Sequence, residues 1–147
     1  MTRAPLLPRE AYGTWQQIST RWADNDMYGH VNNVVYYAWF DTVVNRWLIE
    51  SGLLALKDDP LIGLVVQSSC RYASPLAYPD VIDVGLMTDR VGSSSVTYRL
   101  GVFAQGAENA AAEGLFTHVY VDSATRRPAN LAESWRAALA TLQGQGP

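Results

Sequence analysis

The sequence predicts an α+β domain in which a five-stranded antiparallel sheet wraps around one long central helix, with a short helix after the last strand. Three observations predict it. Residues 34–52 carry a helical period yet are apolar almost all round, which requires enclosure on most sides. One strand-like run precedes that segment and four follow it. The breaks between the later runs hold Pro75 and Pro79, then Gly92-Ser93-Ser94, then Gly106, all turn formers.

The first strand is expected at residues 14–22, which alternate loosely and carry aromatic and β-branched groups. The Asp-, Asn- and Gly-rich residues 23–33 form a loop. In the helix that follows, Asp41, Thr42, Asn45, Arg46 and Glu50 recur at intervals of three and four. Asn32 as N-cap and Gly52 as stop give a helix of about 19 residues, near 28 Å at 1.5 Å per residue. Strands are expected at 61–72, 81–90, 95–104 and 113–122. Val96, Tyr98, Leu100 and Val102 share one face, as do Leu115, Thr117, Val119 and Val121. Asn130 with Glu133 reads as a capping box for a last helix whose stripe is Leu131, Trp135, Leu139 and Leu142. The face and edges of a sheet not covered by the helix need cover, which favours a dimer.

Composition narrows the function. The 147 residues suit one domain, with no internal repeat or low-complexity linker, and hydrophobic residues at 48% against 17% charged exclude a disordered chain. A net charge of −3 argues against a nucleic-acid binder. Cys70 is the single cysteine, so no intrachain disulfide forms, and its apolar strand reads as the home of an inert buried thiol. Cysteine and histidine are too sparse for a zinc site built from them. The N-terminal residues lack the apolar run of about 7–15 residues of a secretory leader. No run of about 18 apolar residues is present to span a membrane. A cytoplasmic location follows by default.

The chemistry concentrates in Arg21-Trp22-Ala23-Asp24-Asn25-Asp26-Met27-Tyr28-Gly29-His30-Val31-Asn32-Asn33, between a strand and a buried helix. The first N–H groups of a helix lack intrahelical partners, and the dipole there favours negative charge. An acyl carbonyl facing those N–H groups has its developing oxyanion stabilised. A carboxylate a few residues upstream can attack the carbonyl or activate a water, and Gly29 lets backbone approach a ligand closely. These parts suffice for acyl transfer without a metal or redox cofactor.

The pattern D-x-D-x-x-G-H-V-N-N over residues 24–33, followed by Tyr36 and the helix, resembles the 4-hydroxybenzoyl-CoA thioesterase branch of the hotdog superfamily. The later VGSSS turn and the VDSATRRPANL segment before the last helix fit as well. The resemblance implies acyl-CoA hydrolysis to free acid and CoA, with Asp26 catalytic and the Asn33 backbone N–H polarising the thioester carbonyl. Gly29 and His30 fall within the same catalytic motif. It also implies that CoA lies across a subunit interface of a homodimer or homotetramer. The candidate substrate-contacting set is Tyr28, Tyr36, Gln67, Ser68, Gly92, Ser93, Ser94 and Arg126.

The chain departs from the family at two places. One subfamily has a histidine where Asn33 stands. The founding member grips the CoA nucleotide with two arginines near the turn occupied here by Val91-Gly92, and those charges are missing. Arg126, Arg127 and Arg90 are replacements by charge alone. A second hotdog branch uses a helical Glu, which makes Asp41 a rival to Asp26.

Blander roles stand beside these. Asp24 pairs with Arg21 or with loop amides. His30 orients substrate or makes a structural hydrogen bond, and Asn32 caps the helix. Gln67 and Ser68 face a neighbouring subunit's site or bond across a dimer interface. Two other functions share the fold. A hydratase or dehydratase of enoyl or 3-hydroxyacyl thioesters would have to use His30 and Asp41. A non-catalytic acyl-CoA-binding protein would be stabilised by ligand without turnover.

Overall fold

The computed structural model, which describes residues 4–144, runs β1 (Thr14–Ser19), α1 (Val35–Glu50), β2 (Leu61–Tyr72), β3 (Val81–Val91), β4 (Ser95–Ala104), β5 (Ala112–Asp122) and α2 (Glu133–Ala140). The strands form one sheet in the order β1-β3-β4-β5-β2, and every neighbouring pair is antiparallel. This is the expected hotdog architecture, a sheet around a central helix with a short helix at the end.

The helix buries Tyr36, Trp39, Phe40, Val43, Val44, Trp47 and Leu48, spaced by three and four. They pack on Ile82, Val84 and Leu86 of β3 and on Val96, Tyr98, Leu100 and Val102 of β4. The Phe40 ring lies so close over Gly114 of β5 that a Cβ there would collide with it. One face of the helix is open in the single chain. Ala38, Asp41, Thr42 and Arg46 are exposed, and so is Ile49.

Several boundaries differ from the sequence reading. α1 has 16 residues rather than about 19, because Asn32 Oδ1 accepts the Val34 N–H at 3.2 Å and holds the entry in a turn. Val34 occupies the cap position without a side-chain bond. Gly52, at φ +77°, stops the helix as expected. β1 ends at Ser19, and a short 3-10 turn at Trp22–Asp24 follows. The Asn130–Glu133 capping box does not form; Ala132 is the cap, with no side-chain bond. On β5 the helix-facing row is Phe116, His118 and Tyr120, all buried, while Leu115, Thr117 and Val119 are half-buried on the other side.

That row carries a polar network inside the core. Tyr98 Oη lies 2.7 Å from Tyr120 Oη, which in turn lies 3.0 Å from His118 Nδ1. Burial pushes the His118 imidazole down to about 4, with the Asp41 carboxylate pulling weakly the other way.

β2 is an edge strand, exposed along both of its faces from Gly63 to Ser69. Its register with β5 slips by one residue at Val66. An open edge that presents Val65 and Val66 to water is a template for pairing with another strand.

Candidate active site

The loop between β1 and α1 is tied down before it reaches the helix. Thr20 donates through its N–H and Oγ1 to the Asp80 carbonyl, at 3.2 and 2.6 Å. Asp24 is 1% exposed, and its carboxylate is fully engaged by Arg21. The Arg21 N–H donates to Oδ2 at 2.8 Å, and the guanidinium donates twice to Oδ1, at 3.0 and 2.8 Å. Asn25 and Val31 then pair as an isolated bridge. Two links to the segment after β2 hold this pair: the Val31 N–H on the Leu76 carbonyl at 2.8 Å, and the Tyr78 N–H on Asn25 Oδ1 at 3.0 Å.

Inside the bridge the chain reverses over Asp26–Gly29. The Asp26 N–H donates to the His30 carbonyl at 2.8 Å, and the Gly29 N–H donates to the Asp26 carbonyl at 3.1 Å. Closing so tight a reversal requires φ +81° at Gly29, which a glycine adopts without strain. Asp26 Oδ1 accepts the Tyr28 N–H at 2.8 Å. Its Oδ2 accepts no hydrogen bond among the described residues, so one oxygen is fixed while the other stays available.

Asp26 and Asn33 line one cleft of about 410 Å³ with His30, Val31 and Tyr36 on the loop–helix side. Tyr72, Ala73, Ser74 and Pro75 form the opposite wall. The cleft sits at the N-terminal end of α1. The Asn32 carbonyl accepts the Val35 N–H at 2.9 Å, while the Asn33 N–H donates to nothing among the described residues. Tyr36 and Tyr72 meet edge-to-face at 5.0 Å. Burial pushes the Tyr36 phenol up to about 12 and the Cys70 thiol beside it up to about 11, so both are neutral donors and the cysteine is no thiolate.

Of the residues singled out in the sequence, Asp26, His30, Asn33 and Tyr36 meet in this cleft. Gly29 and Tyr28 shape the loop behind it, and the Tyr28 ring is exposed. Gln67 and Ser68 lie on the open edge. Gly92, Ser93 and Ser94 sit at the far end of the sheet, where the Arg136 guanidinium donates to the Gly92 carbonyl at 2.9 Å. Arg126 is at that same end, its N–H on the Asp122 carbonyl at 2.8 Å, with Asp122 paired to Leu61 of β2. The length of β2, from Leu61 to Tyr72, separates this end from the cleft, roughly 35 Å at strand rise. A single chain therefore does not join the two groups. Asp41 is exposed on α1 and bonded by Asn45 Nδ2 at 3.0 Å. The sequence reading missed the Tyr72–Pro75 wall and the Tyr98–Tyr120–His118 network. Alternation along 112–122 was the signal for the second; only pairing of β2 with β5 reveals the first.

Known proteins resemble this chain over most of its length. A model of the thioesterase-like superfamily matches residues 20–139. The PA5185 protein of Pseudomonas aeruginosa strain PAO1 is 51% identical, with 95% of this chain and 98% of that one covered and a TM-score of 0.91. A thioesterase of Thermus thermophilus, solved with coenzyme A and Zn, is 28% identical over 91% of this chain and 97% of its own, with a TM-score of 0.75. The Bacillus subtilis protein YsmA is 25% identical over 128 residues, 86% of this chain and 82% of its own.

Proposed function

Because the chain belongs to the thioesterase-like superfamily, we propose that it hydrolyses an acyl-CoA thioester to a carboxylic acid and CoA, with Asp26 as the reacting carboxylate. One observation carries this reading. A carboxylate with one unengaged oxygen and an unengaged helix-entry N–H, that of Asn33, line the same cleft.

The thioester carbon lies between those two groups. Its oxygen takes the Asn33 N–H, and the helix dipole adds to the stabilisation as negative charge develops. Asp26 attacks the carbon to give a mixed anhydride that water opens, or it takes a proton from the attacking water. Both routes break the C–S bond, consume one water in forming the carboxylic acid and return a proton to the CoA thiolate. His30, exposed beside Asp26, orients the water or the acyl group. Tyr36 walls the acyl end.

The CoA end needs a second copy. Antiparallel pairing of the open β2 edges about a two-fold axis sets the Leu61 end of one strand against the Tyr72 end of the other. Gly92, Ser93, Ser94 and Arg126 of the partner subunit then approach this cleft and hold the CoA phosphates, while Gln67 and Ser68 lie on the seam. The active unit is a homodimer, or a homotetramer built from it. The Thermus thermophilus relative, solved with coenzyme A, supports a CoA ligand here.

The test is turnover of short, medium, long and aromatic acyl-CoAs, read by release of free thiol. Asp26→Asn and Asp26→Ala, purified as folded protein, should lose roughly 10²–10⁴-fold in kcat. Undiminished turnover by either variant overturns the assignment.

A further inference from the structure

Tyr72 stands at the last position of β2, the opposite side of the cleft from the loop that carries Asp26. The residue is 42% exposed, and its ring packs edge-to-face on Tyr36. Its hydroxyl crosses the cleft wall and donates to the Asn33 carbonyl at 3.0 Å.

That bond completes a set. A peptide unit is planar, so an N–H points where its neighbours' hydrogen bonds hold the plane. On the near side of Asn33, the Asn32 N–H donates to the Asp24 carbonyl at 2.8 Å and the Asn32 carbonyl accepts the Val35 N–H at 2.9 Å. On the far side, the Val34 N–H donates to Asn32 Oδ1 at 3.2 Å, and the Asn33 carbonyl is held by Tyr72. Both peptide planes that flank Asn33 are pinned, and its own N–H is the one donor of the group left without an acceptor among the described residues. Tyr72 is the only member of this set that comes from the sheet. The others all belong to residues 24–35.

We infer that the Tyr72 hydroxyl is a positioning residue for the reaction: by holding the Asn33–Val34 peptide on the far side of the Asn33 Cα it restrains the Asn33 torsions, and through them the aim of the Asn33 N–H at the thioester oxygen. The inference rests on the hydrolytic reading proposed above. Tyr72 does not touch the reacting atoms. It acts through backbone, and its loss leaves a misdirected donor rather than a missing one. A donor that drifts by a fraction of an ångström costs less than a deleted one, so the expected loss is about 10-fold in kcat. Substrate binding, set by CoA and the cleft walls, is kept because Phe preserves the ring.

The experiment uses the full chain with benzoyl-CoA and hexanoyl-CoA. Turnover by the wild type and its collapse in Asp26→Asn establish the underlying reading first. Tyr72→Phe should then lose about 10-fold in kcat with KM changed by less than about two-fold. Wild-type kcat in Tyr72→Phe, or equal losses in kcat and 1/KM, overturns the positioning role while leaving the hydrolytic reading intact. A spectroscopic arm separates a misaimed donor from any other cause of lost turnover. Benzoyl-CoA labelled with carbon-13 at the thioester carbonyl is bound to Asp26→Asn and its C=O stretch recorded by difference infrared. The downshift on binding should shrink when Tyr72→Phe is added to Asp26→Asn, and an unaltered downshift overturns the inference. Absence of turnover by the wild type with both substrates overturns both readings together.

Discussion

The Arg21 guanidinium and N–H take up both oxygens of Asp24, a carboxylate 1% exposed, two residues before an Asp26 whose second oxygen has no partner among the described residues. The two acids therefore answer differently to the same isosteric change. Asp24→Asn leaves the Arg21 donors facing a buried neutral amide that can accept through one oxygen only. The Arg21 side chain is 74% exposed, so solvent screens much of that ion pair, and the main loss is the buried acceptor of the N–H. Destabilisation of about 1–2 kcal/mol is expected, seen as a Tm lowered by about 3–8 °C. Asp26→Asn should abolish turnover with Tm unmoved. Equal Tm losses in the two variants would refute this division of labour.

Gly29 has nothing within 4 Å of where a Cβ would sit, so its replacement is a pure test of backbone conformation. At φ +81° an alanine costs about 1–2 kcal/mol, and asparagine, which visits this region more readily, costs less. Because the strain falls inside the Asp26–His30 reversal, activity should drop more in Gly29→Ala than in Gly29→Asn. Parallel thermal melts and thiol-release assays on the two variants check the order. A reversed order would mean that Gly29 matters through space and not through φ.

His118 is buried neutral, and burial lowers its pKa to about 4 in the folded chain against an ordinary value near 6.5. The sign follows directly. An unfolded chain takes up the proton first as pH falls, so His118 contributes stability that is complete above about pH 6.5 and is lost between there and about pH 4. The contribution is on the order of 3 kcal/mol. Urea unfolding at intervals from pH 7.5 to 4 should show the decline. His118→Phe lacks the titrating group and should flatten that part of the profile, at the cost of leaving Tyr120 Oη with Tyr98 alone. A profile equally steep in the variant would place the proton uptake elsewhere.

The sequence revealed the strand bounds closely because each run alternates between turn residues, and β2 spans Leu61–Tyr72 as expected. It brought Asp26, His30, Asn33 and Tyr36 into one neighbourhood because a loop feeding a helix keeps sequence neighbours together. What stayed hidden is non-local. Tyr72 reaches Asn33 across 39 positions only because β2 pairs with β5 and the next segment folds back under Val31. The helix starts later than the sequence suggests because Asn32 satisfies Val34 through an Asx turn, a local choice that competes with capping. The asparagine at 130 has the right spacing from Glu133 but lies two residues ahead of the cap, since the chain is still extended at Ala132.

The wide separation of Arg126 from Asp26 in one chain yields a complementation test of the proposed dimer. If the site joins Asp26 of one subunit to Arg126 of its partner, Asp26→Asn and Arg126→Ala are defective in different halves of it. A heterodimer of the two then holds one intact site, Asp26 from the second chain and Arg126 from the first, and one doubly impaired site. Unfolding the variants together and refolding them at equal ratio should restore about a quarter of wild-type activity at substrate well below KM, since half the dimers are mixed and each has one good site. Separately refolded samples, combined afterwards, provide the baseline. Val65→Lys with Val66→Lys charges the exposed β2 edge and should remove the restoration, and sedimentation should show a mass of one chain. No gain on co-refolding, with dimers present by sedimentation, would place both groups in the service of separate sites and refute the shared cleft.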